Sequence, residues 1–329
     1  MHLTLLLASS LSFAADEAPK PTVKVGGVIF AHYGYDLSDG ANGYNSFELD
    51  RAYLTARGEL NEHWATRMTL DADRFKSTDV ADTSITVDTK YRMFVKHAYL
   101  EWREQKAGVK LRFGMADTAW APYYDNFWGY RFLGKSAGDE NKFVDTSDLG
   151  IQAMGDHNKG LIQWQAGLIN GEGYGKVEVD ASKTFQARFT VDPMASNKDY
   201  DLPISGFISQ SFMGEGDPLT IYAGAVGFKM KYGLAWAEYM GRSSGGVSGQ
   251  IITASLMPKV PDIVTIVARV DIVDPDSKAV DDATTTILVG AGHEFFEKVT
   301  ATATFEQTTP EGDPTAPSRG VFLRMQAGF

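Results

Sequence analysis

Basic side chains recur at every second position of several short runs in this chain. In residues 109–115, for example, Lys110 and Arg112 alternate with Val109, Leu111 and Phe113. Side chains two residues apart point to the same face of a β-strand, so each run predicts one apolar face and one charged face. The basic residues with this placement, called the basic wall below, are Arg51, Arg57, Arg67, Lys110, Arg112, Arg188, Arg269 and Arg324. Charges of one sign that line a water-filled passage set its ion preference.

Carboxylates share the faces that carry these basic residues. They are Asp71, Asp73, Glu101, Glu238, Asp271 and Glu306. Two interpretations follow from the mixture. The arginines are either a wall that acts on passing ions, or a set of charges that neighbouring carboxylates neutralise without further function.

A second group of residues lies in the long connection at 118–146. The segment from Trp120 to Phe132 is too aromatic for a loop that is fully solvated, and a segment this long in a compact fold is usually functional. Its candidate functional residues are Tyr123, Tyr124, Asp125, Trp128, Arg131, Lys135, Asp139 and Glu140. The alternative is a loop that packs on the outer rim or forms a subunit contact.

Patterns typical of catalytic and cofactor sites are missing from the sequence. The six histidines form no pair at a spacing of four residues, and there is no cysteine. The glycine-rich segment Gly171–Gly175 is not followed by the Lys-Ser/Thr pair of a phosphate-binding loop. We therefore expect no enzyme activity, no cofactor, no metal site and no nucleic-acid partner.

Strands of alternating polarity must position these residues. At the end of the chain, Val321, Leu323, Met325, Ala327 and Phe329 alternate with mostly polar residues over about the length of a tilted membrane-spanning strand. Such alternation keeps the mean hydropathy low, at -0.21, although the segments span a membrane. Sixteen strands are predicted, with fourteen or eighteen as alternatives, at 22–35, 46–60, 64–74, 91–103, 109–117, 147–156, 161–170, 183–192, 202–213, 219–229, 233–242, 249–257, 262–273, 284–294, 298–308 and 320–329.

The connections between the predicted strands alternate in length. Short turns such as 61–63 and 231–232 alternate mostly with longer loops such as 118–146 and 171–182. This asymmetry is typical of an outer-membrane β-barrel, whose short turns face the periplasm. The sequence therefore predicts an all-β, transmembrane antiparallel barrel with both termini in the periplasm and 118–146 as its third external loop.

The N-terminus predicts export. An apolar run from Leu3 to Phe13 precedes the small residue Ala14. Residues 1–14 therefore resemble a signal peptide, although the basic residues that usually begin one are missing. The start of the chain is therefore expected to lie further upstream, and residues 15–329 are expected to form one barrel domain. No later apolar run reaches the ~18–20 residues of a membrane-spanning helix.

Several short motifs, in order along the chain, resemble the phosphate-selective porin family of sixteen-stranded trimeric porins. They are Arg51-Ala52-Tyr53, the segment 96–102, the segment 167–173 and Trp236-Ala237-Glu238-Tyr239. The resemblance implies a homotrimer in the outer membrane of a Gram-negative bacterium, in contact with lipid and lipopolysaccharide. It also implies that the 118–146 loop, called the constriction loop below, folds into the lumen and narrows a channel for passive diffusion of small hydrophilic solutes and ions.

The charge of the constriction loop departs from the family pattern. It carries four acidic residues, Asp125, Asp139, Glu140 and Asp145, against three basic ones. This loop is a poor match for phosphate selectivity. Because Arg51, Arg57, Arg67, Arg112 and Arg188 are predicted to line the lumen, we expect a mild anion preference. The alternatives are a channel specific for phosphate or another anion, and a non-conducting barrel with an adhesive or structural role.

Overall fold

The computed structural model describes residues 21–74, 90–214, 216–313 and 316–329. The expected signal peptide, residues 1–14, lies outside the described residues.

Strands account for most of the described chain. They are β1 (Thr22–Asp36), β2 (Asn45–Glu59), β3 (Trp64–Arg74), β4 (Tyr91–Glu104), β5 (Val109–Asp117), β6 (Ser147–His157), β7 (Ile162–Ile169), β8 (Lys183–Val191), β9 (Tyr200–Asp201), β10 (Ile204–Phe212), β11 (Thr220–Met230), β12 (Gly233–Ser244), β13 (Val247–Val260), β14 (Val264–Asp274), β15 (Thr284–Phe296), β16 (Val299–Pro310) and β17 (Ser318–Gly328). The helices are α1 (Ala121–Trp128) and α2 (Ala137–Glu140), with 3-10 turns at Arg131–Leu133 and Asn158–Gly160.

The strands close into a single antiparallel barrel. Apart from the short β9, each strand pairs with the next one along the chain, β8 with β10, and β1 also pairs with β17. The described strands therefore leave no open edge. The short β9 pairs with β11 in the same register as β10 does. We therefore count β9 and β10 as one barrel strand, which is interrupted at Pro203 because proline has no N–H to donate. The predicted count of sixteen barrel strands is confirmed.

The predicted strand bounds differ most at β13, which begins at Val247 and runs to Val260. Although the connection between β12 and β13 lies at the end of the barrel that carries the long loops, it is only a two-residue turn, Gly245-Gly246, with φ values of 56° and 81°. Both residues therefore adopt the positive φ of the turn that suits a tight hairpin, and the flanking strands extend up to it.

The inner surface of the barrel has two unlike halves. On β10 to β14 a patch of buried apolar side chains, Phe207, Ile221, Trp236, Ile251 and Val267, lies among buried polar ones such as Glu238 and Arg269. On β2 to β5 many inward side chains are charged, among them Arg51, Arg67, Asp71, Glu101 and Arg112. The constriction loop packs against the apolar half, so the charged half faces the remaining space.

The outer surface is apolar across its middle. Phe113, Ile151 and Leu256 are each more than half exposed, as expected for side chains that contact lipid. Trp64 and Phe329 are exposed at the end of the barrel that carries the short turns. None of the helices in the described ranges has the length and apolarity needed to cross a membrane.

Candidate channel lining and constriction

The constriction loop lies inside the barrel, as the fold prediction required. Its aromatic residues pack on the apolar half: the Trp120 ring lies 5.3 Å from that of Phe207, and the Phe127 ring 4.9 Å from that of Trp236. Tyr124 and Trp128 are both 1% exposed. Their burial explains why the loop sequence is so aromatic.

Polar contacts secure the same side of the loop. Glu238 accepts hydrogen bonds from the indole nitrogens of Trp120 (3.2 Å) and Trp236 (3.1 Å). The Tyr123 hydroxyl lies 2.7 Å from that of Ser205. One buried carboxylate of β12 thus joins the loop to the wall through Trp120 and is also bonded by Trp236 of its own strand.

Two arginines of the basic wall contact the loop backbone. Arg188 donates from Nε to the carbonyl of Ala119 (3.0 Å), and Arg269 donates from Nη1 to the carbonyl of Lys135 (2.8 Å). Both are 8% exposed, and Arg269 also pairs with Asp271 at 2.8 Å. These two arginines therefore face the interior but lie beneath the loop, where they hold it in place.

Several charged residues of the loop pair with one another. Arg131 pairs with Asp125 and with Asp139, each at 3.0 Å, and Lys135 lies 3.9 Å from Glu140. Burial raises the pKa of Asp125 to about 6, although Arg131 opposes this shift. Burial lowers the pKa of Lys135.

A cavity of about 860 Å³ lies between the loop and the charged half of the barrel. Pro122, Asp125, Asn126 and Arg131 line it on the loop side. The barrel contributes the other side, including Arg57, Arg67, Lys110 and Arg112 of the basic wall. The cavity is space inside the barrel that the loop leaves unfilled.

Carboxylates neutralise part of this lining. Asp117, the last residue of β5, lies 3.3 Å from Arg67, 3.1 Å from Arg112 and 2.8 Å from the His97 ring. Glu101 pairs with Arg112 at 2.7 Å. For these arginines the structure shows the neutralised arrangement that the sequence left open.

Two further members of the basic wall are paired elsewhere on the inner surface. Arg51 pairs with Asp71 at 2.8 Å and with Asp73 at 3.1 Å. Arg324 pairs with Glu306 at 2.7 Å beside the closing seam between β17 and β1.

Arg103 of the lining pairs with Glu59 and Glu101, each at 2.6 Å, whereas some other lining cations have no carboxylate within ion-pair distance among the described residues. Arg57 and Lys110 of the basic wall are in this position, as is Lys24, and all three are exposed to the cavity. Arg57 lies directly opposite Lys24 on one side and Arg67 on the other. Like charges placed directly opposite in a sheet are destabilising, so this row favours an anion beside it.

Lys96 belongs to the same lining, although an uninterrupted alternation along β4 would place it on the lipid side. A β-bulge skips Lys96 between the pairs Thr69–His97 and Leu70–Val95, and it turns both Lys96 and His97 inward. The sequence holds one signal for this: a lysine on the lipid face would cost about 2–4 kcal/mol at the membrane midplane.

The closed barrel, the inward loop and the cavity beside a charged wall define a channel of the outer-membrane porin type. A model of the family "Phosphate-selective porin O and P" matches residues 23–201. The chain belongs to this family, and it is an outer-membrane porin. A search of curated proteins finds no match.

Solved porin structures share the fold at low sequence identity. The loop L8 deletion mutant of OmpT from Vibrio cholerae is 13% identical, with a TM-score of 0.66 over 94% of this chain and 99% of that one. The anion-selective porin from Comamonas acidovorans is 12% identical, with a TM-score of 0.62 over 94% and 100%. OmpF of Salmonella typhi is 8% identical, with a TM-score of 0.67 over 93% and 97%.

Proposed function

We propose that small hydrophilic solutes and ions diffuse passively through the cavity between the charged half of the barrel and the constriction loop, with a mild preference for anions. The observation that carries the anion preference is the group Lys24, Arg57 and Lys110, three cations that face the cavity without a carboxylate partner among the described residues. Nine lysines and arginines line this cavity, against four carboxylates. The local charge is therefore positive, although the whole chain carries a net charge of -11.

The arrangement supports a weak general preference better than tight phosphate binding. Planar guanidinium groups bind phosphate well when both of their arms are free. Here Arg67, Arg112 and Arg131 each contact a carboxylate already. Lysine point charges and one unpaired arginine attract anions of many shapes.

We further propose that the short-turn end and both termini face the periplasm, after removal of the signal peptide, and that the barrel assembles as a homotrimer in contact with lipid and lipopolysaccharide. Supporting the orientation is the difference in length between the two sets of connections. Supporting the trimer is the structural likeness to an OmpT structure described as its trimer form, at 12% identity and a TM-score of 0.63.

Recording from planar bilayers tests the proposed function. Purified folded protein is expected to give stepwise conductance. In a KCl gradient, the sign of the reversal potential is expected to correspond to a preference for chloride over potassium. Absence of conductance would favour the non-conducting barrel. A clear cation preference would refute the role of the three unpaired cations, and current block by low phosphate concentrations with little effect of chloride would favour the phosphate-specific channel.

A further inference from the structure

A second loop also reaches over the lumen. This loop, residues 170–182, connects β7 to β8 and is called the Tyr174 arm below. Its tyrosine crosses to the charged half of the barrel, where the hydroxyl lies 3.4 Å from a carboxylate oxygen of Asp71 and 3.5 Å from Nη1 of Arg51. The ring lies 5.7 Å from that of Phe94. One side chain thus connects the arm to β2, β3 and β4.

The base of the Tyr174 arm is held by hydrogen bonds from its backbone amides. Asp148 accepts from the amides of Gly171 (2.7 Å) and Gly173 (3.3 Å), and the Tyr174 amide donates to the carbonyl of Ser147 (3.0 Å). Gly171 and Gly173 have φ values of 109° and 80°, which glycine adopts without strain. The arm is therefore bent toward the lumen by its own backbone, and the tyrosine position does not depend on the constriction loop alone.

Tyr174 covers the buried cation Lys96. The Lys96 ammonium lies 5.1 Å from the centre of the Tyr174 ring and 4.9 Å from that of Tyr53, and it donates to the Tyr53 hydroxyl at 3.3 Å. Lys96 is 8% exposed and has no carboxylate within ion-pair distance among the residues that the structure describes. Because burying a cation is costly, its contacts with the two rings help to stabilise it.

We propose that Tyr174 is a second determinant of size and charge selectivity in this channel, separate from the constriction loop. Its ring occupies lumen space above Lys96 and limits the contact of that cation with passing anions. The proposal rests on the proposed function, since it assumes that solutes cross the lumen beside Lys96.

Tyr174→Ala tests the proposal in the full-length, folded protein. Removing the ring is expected to raise the single-channel conductance, to admit larger neutral sugars in a liposome-swelling assay, and to shift the reversal potential further toward anions because Lys96 becomes accessible. Tyr232→Ala is the matched control, since Tyr232 is 57% exposed in a short turn at the other end of the barrel. It is expected to change none of these values.

Single-cysteine variants provide an independent test, because the natural chain contains no cysteine. In Tyr174→Cys, a bulky methanethiosulfonate reagent is expected to reduce the conductance that the substitution has raised. The same reagent on Tyr232→Cys is expected to leave the current unchanged. The cysteine variant also serves if the alanine variant fails to fold.

Two results would overturn the role of Tyr174: wild-type conductance and sugar exclusion in a folded Tyr174→Ala protein, or no effect of the reagent at Tyr174→Cys. Failure of the proposed anion preference gives a different result. In that case the wild-type reversal potential is not on the anion side, while the effects of Tyr174→Ala on conductance and on neutral sugars remain.

Discussion

At the scale of single residues, the basic wall divides according to the partners of its members. Arg188 and Arg269 hold the constriction loop, whereas Arg51, Arg67, Arg112 and Arg324 pair with carboxylates. Only Arg57 and Lys110 face the cavity without such a partner in the described part of the chain. Because paired charges largely cancel, these two are the members whose substitution should change ion preference most.

Reversing the charge at both unpaired positions is expected to reverse the selectivity. In Arg57→Glu/Lys110→Glu, two cations that face the cavity become anions, so the reversal potential in a KCl gradient should move to the cation side. Lys106→Glu is the control, because Lys106 lies exposed in the adjoining turn and does not line the cavity. Equal shifts in the control and the double variant would contradict a local origin of the preference.

Acidification is expected to strengthen the anion preference. Asp125 lines the cavity, and burial raises its pKa to about 6, so its carboxylate is charged at pH 7.5 and mostly neutral at pH 5. Protonation of Asp125 therefore removes one negative charge from each constriction as the pH falls through this range. Reversal potentials at the two pH values measure the effect, and Asp125→Asn should already show the acidic value at pH 7.5. A variant with the full wild-type pH dependence would exclude Asp125 as its source.

At the scale of elements, two β-bulges and one buried loop determine the constriction. The bulges lie at Asp50 in β2 and at Lys96 in β4. Each places two consecutive residues on the inner face, so simple alternation fails where the lumen is most charged. The constriction loop is positioned by aromatic packing on β10 to β12 and by hydrogen bonds to Arg188, Glu238 and Arg269 beneath it.

Truncating the main aromatic anchor of the loop is expected to loosen the constriction. Trp120 is 1% exposed and packs on Phe207, so Trp120→Ala removes packing worth roughly 3–5 kcal/mol, as for other buried aromatic residues. We expect larger and noisier single-channel currents and faster proteolysis of the loop. Trp120→Phe keeps the ring packing but loses the hydrogen bond to Glu238, so its effect should be intermediate. Quiet wild-type currents from Trp120→Ala would show that other contacts suffice.

At the scale of the whole molecule, the closing seam completes the barrel. The amide of Phe329 donates to the carbonyl of Gly27 (3.0 Å), and the Gly27 amide donates back to Phe329 (3.2 Å). The Phe329 ring lies so close to Gly27 that a Cβ there would overlap it. The last residue therefore contributes both hydrogen bonds and packing to closure.

Removing the Phe329 ring is expected to weaken closure of the barrel. Phe329→Ala should lower the melting temperature and reduce the yield of folded protein, with a loss of up to about 2 kcal/mol from apolar contact. Heat-dependent mobility on a gel measures both. Phe296→Ala is the control, since Phe296 is 74% exposed at the same end but away from the seam. Equal losses in the two variants would mean that the rim as a whole, not the seam, is responsible.

The alternation of polar and apolar residues by itself predicted the barrel and most strand bounds, and it favoured sixteen strands while leaving fourteen and eighteen open. The reason is physical: lipid on one side and water on the other impose the same period of two on every strand. The aromatic content of residues 120–132 also predicted a loop that does not face water. These properties depend on local sequence and on the membrane, so they can be predicted from a single amino-acid sequence.

Only the tertiary structure decided which charges act on a solute. Partners such as Arg67 and Asp117 lie 50 residues apart, and their pairing depends on how neighbouring strands align. Lys96 enters the lumen through a bulge that shifts the alternation, and Tyr174 reaches it from a different loop. Whether a cation is free or neutralised depends on distances of a few ångströms between distant segments, and residue types and spacing do not encode those distances.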